Sequence, residues 1–276
     1  APGIGYREGV NPDEIPERRT VGYTISRIYE DLSLAEDCLK KAGRTQFDFA
    51  SNTRPTIPTV QAFRARVDLY RGNYESALKN ANAALDAHGE LVDLNTDPYY
   101  MTMEMPNSLM LMQEDGSMTV KSTIMLPMLM NTPGRSFLEY RELFLPNVST
   151  TMMCGSWIPV SESFSELWDR NTDLRWQKFY NIHYYYLMMS PIMGYGIVPW
   201  ASGQYLRELD FHTYCRFYSY GAYAGQIVGM TTAEMYLIKA ECMARTGGVE
   251  SDVVNVLKTL RRTRFSDTNV ADNVGG

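Results

Sequence analysis

Flat aromatic rings are the most abundant chemistry-bearing groups in this chain of 276 residues: 19 Tyr, 10 Phe and 4 Trp make it 12% aromatic. They cluster late in the sequence. Tyr180 and Tyr184-Tyr185-Tyr186 are followed by Tyr195, Trp200 and Tyr205, and then by a run of tyrosines from Tyr214 to Tyr223. A ring can cover the C–H face of a sugar while nearby polar side chains bond the hydroxyls. Rigid rings also lose little side-chain entropy when a ligand is ordered against them. Most rings in a folded protein pack in its core, so loop context selects the candidates. Trp200 comes first, in Val198-Pro199-Trp200-Ala201-Ser202-Gly203. Trp157 follows, flanked by Gly155-Ser156 and Pro159, and Tyr195 is third, between Gly194 and Gly196. Trp168 and Trp176 adjoin helical or Asp-x-Arg segments and are expected in the core.

Other chemistries are poorly represented. The three histidines, His88, His183 and His212, are scattered, and no HExxH, P-loop or G-x-S-x-G occurs. No catalytic residue, metal site or cofactor is expected. Glu162, Glu166, Asp169 and Asp173 lie at near-helical spacing, the raw material of a glycosidase carboxylate pair, although a solvated helix face is the plainer reading. Cys38, Cys154, Cys215 and Cys242 form no CxxC pair. Buried free thiols are expected, with one or two disulfides as the alternative. With 26 Lys and Arg against 32 Asp and Glu, the net charge is −6. An acidic chain lacks the footprint of a phosphate-backbone binder, so nucleic acid is not an expected partner. The run Met125-Leu126-Pro127-Met128-Leu129-Met130 falls far short of about 20 residues, the length a membrane-spanning helix needs.

Helices must hold these groups. Residues 1–19, with Pro2, Pro12 and Pro16, read as an extended lead-in. Thr20 is the expected N-cap of a first helix whose Ile25, Ile28, Leu32, Ala35 and Leu39 share one face, with Gly43 as its left-handed stop. Pro58 suits the first turn of a second helix, with Val60, Phe63, Val67 and Tyr70 as its buried stripe and Ala62 and Ala65 leaving room for a close neighbour. A third helix is expected from about Tyr74 to His88, its Ala77, Leu78, Ala81, Ala84 and Leu85 inward and Gly89 ending it. Thr231-Thr232-Ala233-Glu234 reads as a capping box that opens a fourth, with Tyr236, Leu237, Ala240, Met243 and Ala244 inward. Gly247-Gly248 breaks it, and Val249 to Leu260 form a fifth.

The helix pairs align at a fixed offset. Ala65 matches Ala240, Gly72 matches Gly247, Glu75-Ser76 matches Glu250-Ser251, and Asn80 matches Asn255. Such self-similarity marks a helical repeat, here of the tetratricopeptide form, with small residues where helices cross. The stretch between the pairs differs in kind. Residues 90–160 read as loop-rich, with six prolines. Ser163-Phe164-Ser165-Glu166 reads as a capping box for a short helix through Trp168, and residues 178–228 as short strands or ordered loops. Nine of the 17 methionines fall between Met101 and Met130. They are expected to fill an irregular core, or, if outward, to meet a partner.

Five segments together resemble the SusD/RagB family. Arg27-Ile28-Tyr29-Glu30-Asp31-Leu32-Ser33-Leu34-Ala35 is similar to its "I-x-x-D-L-x-x-A". Residues 62–77, from Ala62-Phe63-Arg64-Ala65-Arg66 to Gly72-Asn73-Tyr74-Glu75-Ser76-Ala77, are similar to its "A-x-x-A-R-x-x-L-Y-x-G-x-Y-x-x-A". Ser165-Glu166-Leu167 followed by Asp173-Leu174-Arg175 matches "E-L … D-x-R". Ala233-Glu234-Met235-Tyr236-Leu237-Ile238-Lys239-Ala240-Glu241 looks like "A-E-x-Y-L-I-K-A-E", and Leu257 to Arg264 resembles the closing "L-N-x-x-R-x-R". The resemblance implies a Bacteroidetes cell-surface lipoprotein that binds glycans, or peptides in RagB-like members, beside a SusC-like TonB-dependent outer-membrane transporter. It implies membrane attachment only through a lipid anchor of the parent chain. It also implies that this is the middle portion of a longer protein.

The expected architecture is mostly α: tetratricopeptide-like helices at 20–89, a ligand-binding insertion at 90–229 rich in loops and short strands, a second helix pair at 230–265, and a polar tail at 266–276. The expected function is capture of an extracellular nutrient, an oligosaccharide, by contact alone. The alternatives are a helical-repeat scaffold for a peptide or protein, and a glycoside hydrolase.

Overall fold

The computed structural model describes residues 2–7, 9–11, 13, 15–48, 53–96, 102–112, 118–129, 141–145, 161–182, 187–190, 194–197, 216–218 and 229–275. In chain order its elements are β1 (Pro2–Gly5), β2 (Arg18–Thr20), α1 (Val21–Lys41), α2 (Ile57–Arg71), α3 (Tyr74–Ala87), β3 (Thr102–Met112), β4 (Met118–Leu129), α4 (Glu162–Ser165), α5 (Leu174–Phe179), β5 (Tyr180–Ile182), β6 (Leu187–Ser190), β7 (Gly194–Ile197), β8 (Arg216–Tyr218), α6 (Thr232–Arg245), α7 (Glu250–Arg262) and α8 (Thr268–Asp272). Helices outweigh strands among the described residues, and the chain is mostly helical. Residues group into two compact units: Ala1–Glu90 with Glu142–Leu145 and Met230–Val256, and Leu91–Arg141 with Pro146–Gly229 and Leu257–Gly276.

Local signals set the helix ends of the first unit. The Thr20 hydroxyl accepts from the Tyr23 amide at 3.1 Å, satisfying one of the orphan donors at the start of α1. At its far end Gly43 takes φ 69°, and the Arg44 amide reaches back to the Leu39 carbonyl at 2.9 Å. The cap of α2 is Thr56, whose amide donates to Thr59 Oγ1 at 3.2 Å. α2 and α6 are each preceded by a threonine, and Gly72 and Gly247 beyond their ends take φ 75° and 80°. Gly89 plays a different part from the one expected. The chain leaves α3 at His88 in an extended conformation, and a Cβ on Gly89 would stand 2.8 Å from the Leu85 carbonyl oxygen, so close approach is what requires glycine there.

The core of this unit is built from small residues where helices meet. Ala62 and Ala65 of α2 and Ala77, Ala81 and Ala84 of α3 are completely buried, together with Met235 and Cys242 of α6. Residues 142–145 bring Phe144 into this core through an antiparallel bridge between Leu143 and Thr231. The Phe144 amide donates to the Met230 carbonyl, and the Thr232 amide to that of Glu142. Full burial of one such phenyl ring contributes about 1.5–3 kcal/mol. Ile28, Leu32, Leu39 and Val60 form a second cluster between α1 and α2.

Two expected faces differ in part. Tyr70, assigned to the buried stripe of α2, is 84% exposed, whereas Asp68 is buried; in α6, Leu237 is half exposed and Met235 and Ile238 point inward. The close contacts of α2 run through Ala62 and Ala65, as expected where helices cross. Cys38 is exposed rather than buried, while Cys242 is buried as a free thiol. Cys154 and Cys215 lie outside the described residues.

In the second unit, β3 and β4 form an antiparallel hairpin where a loop-rich stretch was expected. Its register sets Met103, Met105 and Leu109 opposite Met128, Leu126 and Ser122, and a bulge after Leu109 leaves Lys121 out of the pairing. Pro106 and Pro127 sit inside the strands, opposite Met125 and Glu104, so the prolines did not prevent pairing. The sheet order is β4-β3-β7-β6, with β3 and β7 parallel, and β5 pairs with β8. Residues 266–276, expected as a polar tail, carry the short helix α8, whose N-cap Asp267 accepts from the Asn269 amide.

Candidate functional site

Three stretches of the second unit, 92–95, 161–176 and 261–273, are tied together by backbone and by rings. The Leu174 amide donates to the Arg264 carbonyl and the Ser266 amide to that of Thr172, both at 2.9 Å, so the Asp-x-Arg segment is laced to the chain that follows α7. The Leu94 amide reaches the Thr263 carbonyl at 2.9 Å. Arg264, 3% exposed, donates to the Val92 carbonyl, and Asn95 Nδ2 to the carbonyls of Arg262 and Phe265.

On this frame stands a ladder of rings and guanidinium groups. Arg170 lies 5.3 Å from the Trp176 ring centre, and Trp176 lies 6.0 Å from Trp168 at an interplanar angle of 30°. Arg175 lies 4.9 Å from Trp168 and 5.8 Å from Phe265, and Arg261 lies 4.4 Å from Phe265. Phe164 meets the edge of Trp168. A planar cation against a π face is worth about 0.5–1 kcal/mol where exposed and about 2 where desolvated. Arg175 is also held from the side: its Nε and Nη2 donate to the two oxygens of the buried Asp173 at 3.0 and 2.7 Å. Such a fork fixes the guanidinium plane, which is what lets it stack on two rings.

Two of the acids in this stretch are already engaged. Asp169 closes a turn by accepting from the Thr172 hydroxyl and from the amides of Asn171 and Thr172. These bonds, the hydroxyl above all, hold its carboxyl below the usual carboxylate range. Asp169 is therefore ionised at neutral pH, and Asp173 is held in its fork with Arg175. Glu166 is exposed. Ser161, rather than Ser163, caps α4, accepting from the Phe164 amide at 3.3 Å.

Of the expected binding rings, Trp200 and Trp157 lie outside the described residues. Tyr195 falls in β7, opposite Met189 of β6, and β7 is joined to β3 at Ile197 and Leu109. Trp176 is buried and Trp168 half-buried. The residues that sequence reasoning did not connect are Arg170, Arg175, Arg261 and Phe265. The Asp173-x-Arg175 spacing was their one visible trace, since a short polar segment carries no sign of the distant ring that it will meet. Among the described residues no group of His, Cys, Asp and Glu could hold a metal ion, and no helix is long and apolar enough to cross a membrane.

No protein-family model and no curated protein sequence matches the chain. Solved structures do. A SusD superfamily protein from Bacteroides thetaiotaomicron VPI-5482 is similar with a TM-score of 0.58 at 14% identity, over 98% of this chain and 53% of its own. A SusD-like protein from Bacteroides fragilis NCTC 9343 aligns with a TM-score of 0.45 at 16% identity, over 98% of this chain and 60% of its own. The chain thus spans little more than half the length of these structures. Over 98% of its length, this chain is similar in fold to that SusD superfamily protein from Bacteroides thetaiotaomicron.

Proposed function

We propose that this chain belongs to a cell-surface binding protein that captures an extracellular nutrient, an oligosaccharide, and passes it to a SusC-like TonB-dependent transporter in the outer membrane. The observation that carries the reading is the fold likeness to a SusD superfamily protein over 98% of the chain. The engaged state of Asp169 and Asp173 favours capture over cleavage. In this reading the helices are an inert frame, and the rings that grip the sugar are Trp200, Trp157 and Tyr195. Attachment to the membrane runs through a lipid anchor of the parent protein.

The test is a glycan array followed by calorimetry on the chain and on its Trp200→Ala, Trp157→Ala and Tyr195→Ala variants. Saturable binding without released product supports the reading. A tenfold or greater loss of affinity in Trp200→Ala corresponds to about 1.4 kcal/mol or more and assigns Trp200 to the binding site. Undiminished binding in all three variants refutes the site. Binding of peptides with no glycan bound, or release of a cleaved product, refutes the function.

A further inference from the structure

We draw no further inference here: the strongest candidate, the exposed Phe164 and Leu167 edge beside the Trp168–Trp176 ladder in the second unit, is an apolar surface patch, and nothing in the structure shows what covers it.

Discussion

Removing the Tyr29 hydroxyl should loosen α1 from the α2–α3 hairpin, by an amount that depends on the charge of Asp68. Asp68 is 3% exposed and accepts three hydrogen bonds: from the Tyr29 hydroxyl of α1, from Ser76 Oγ at 2.7 Å and from Asn80 Nδ2 at 3.2 Å, both of α3. One carboxylate thus joins three helices. A hydrogen bond to a charged group contributes about 1.5–3 kcal/mol, and one between neutral groups about 0.5–1.5. Tyr29→Phe should therefore cost about 2 kcal/mol in the parent chain, but only about 1 in an Asp68→Asn background, a coupling of about 1 kcal/mol. At about 2–4 °C per kcal/mol for a chain of this size class, the single variant should lower Tm by roughly 4–8 °C. Urea titration of the four proteins, with hydrogen exchange of α1 as the local readout, measures the cycle. Equal costs of Tyr29→Phe in the two backgrounds would refute the shared-carboxylate argument. The same node predicts an alkaline effect. Burial, reinforced by the Asp68 carboxylate, raises the Tyr29 pKa above its ordinary 10.0. The unfolded chain then loses this proton first. The contribution is full below about pH 10 and is lost as pH rises through the folded value. Absorbance at the tyrosinate band should show one late-titrating group fewer in Tyr29→Phe.

Glu234→Gln should weaken the junction of α2 and α6, where Arg66 donates two hydrogen bonds to the Glu234 carboxylate. The pair is partly exposed, so about 1 kcal/mol is expected, shrinking with added salt, and a cost unchanged between 0.05 and 1 M NaCl would count against an electrostatic origin. Gly247→Ala should cost about 1–2 kcal/mol through φ 80° alone, since no atom lies within 4 Å of the new Cβ, and Gly247→Asn should cost less; equal denaturation midpoints for both would contradict the backbone argument. Arg175→Lys keeps a charge beside Asp173 but loses the fork and the stacking plane. It should destabilise the second unit by about 1–2 kcal/mol and change tryptophan fluorescence, and an unaltered emission spectrum would show that the ladder does not depend on Arg175.

The sequence by itself determined the helices and their ends. Thr20, Thr231, Gly43, Gly72 and Gly247 act on backbone groups within four residues of themselves, so their effect is readable wherever they stand. The match between the two stretches at a fixed offset is legible for the same reason, because each carries its own cap and stop. Which face of a helix turns inward was decided by tertiary packing. Tyr70 and Leu237 are large and apolar yet exposed, while Asp68 is buried, because the neighbouring helices select for close approach and for hydrogen-bond partners. The Thr231-x-x-Glu234 box shows this at one residue: Thr231 Oγ1 accepts from the Glu234 amide as expected, but the Glu234 carboxylate is taken by Arg66 from 168 positions earlier. The guanidinium ladder is of the same kind. Its rings and arginines come from two short stretches, residues 164–176 and 261–265, and no local spacing relates one stretch to the other. Contacts of that range exist only once the chain has closed, and the entropy of closure is offset by packing that a linear pattern does not display.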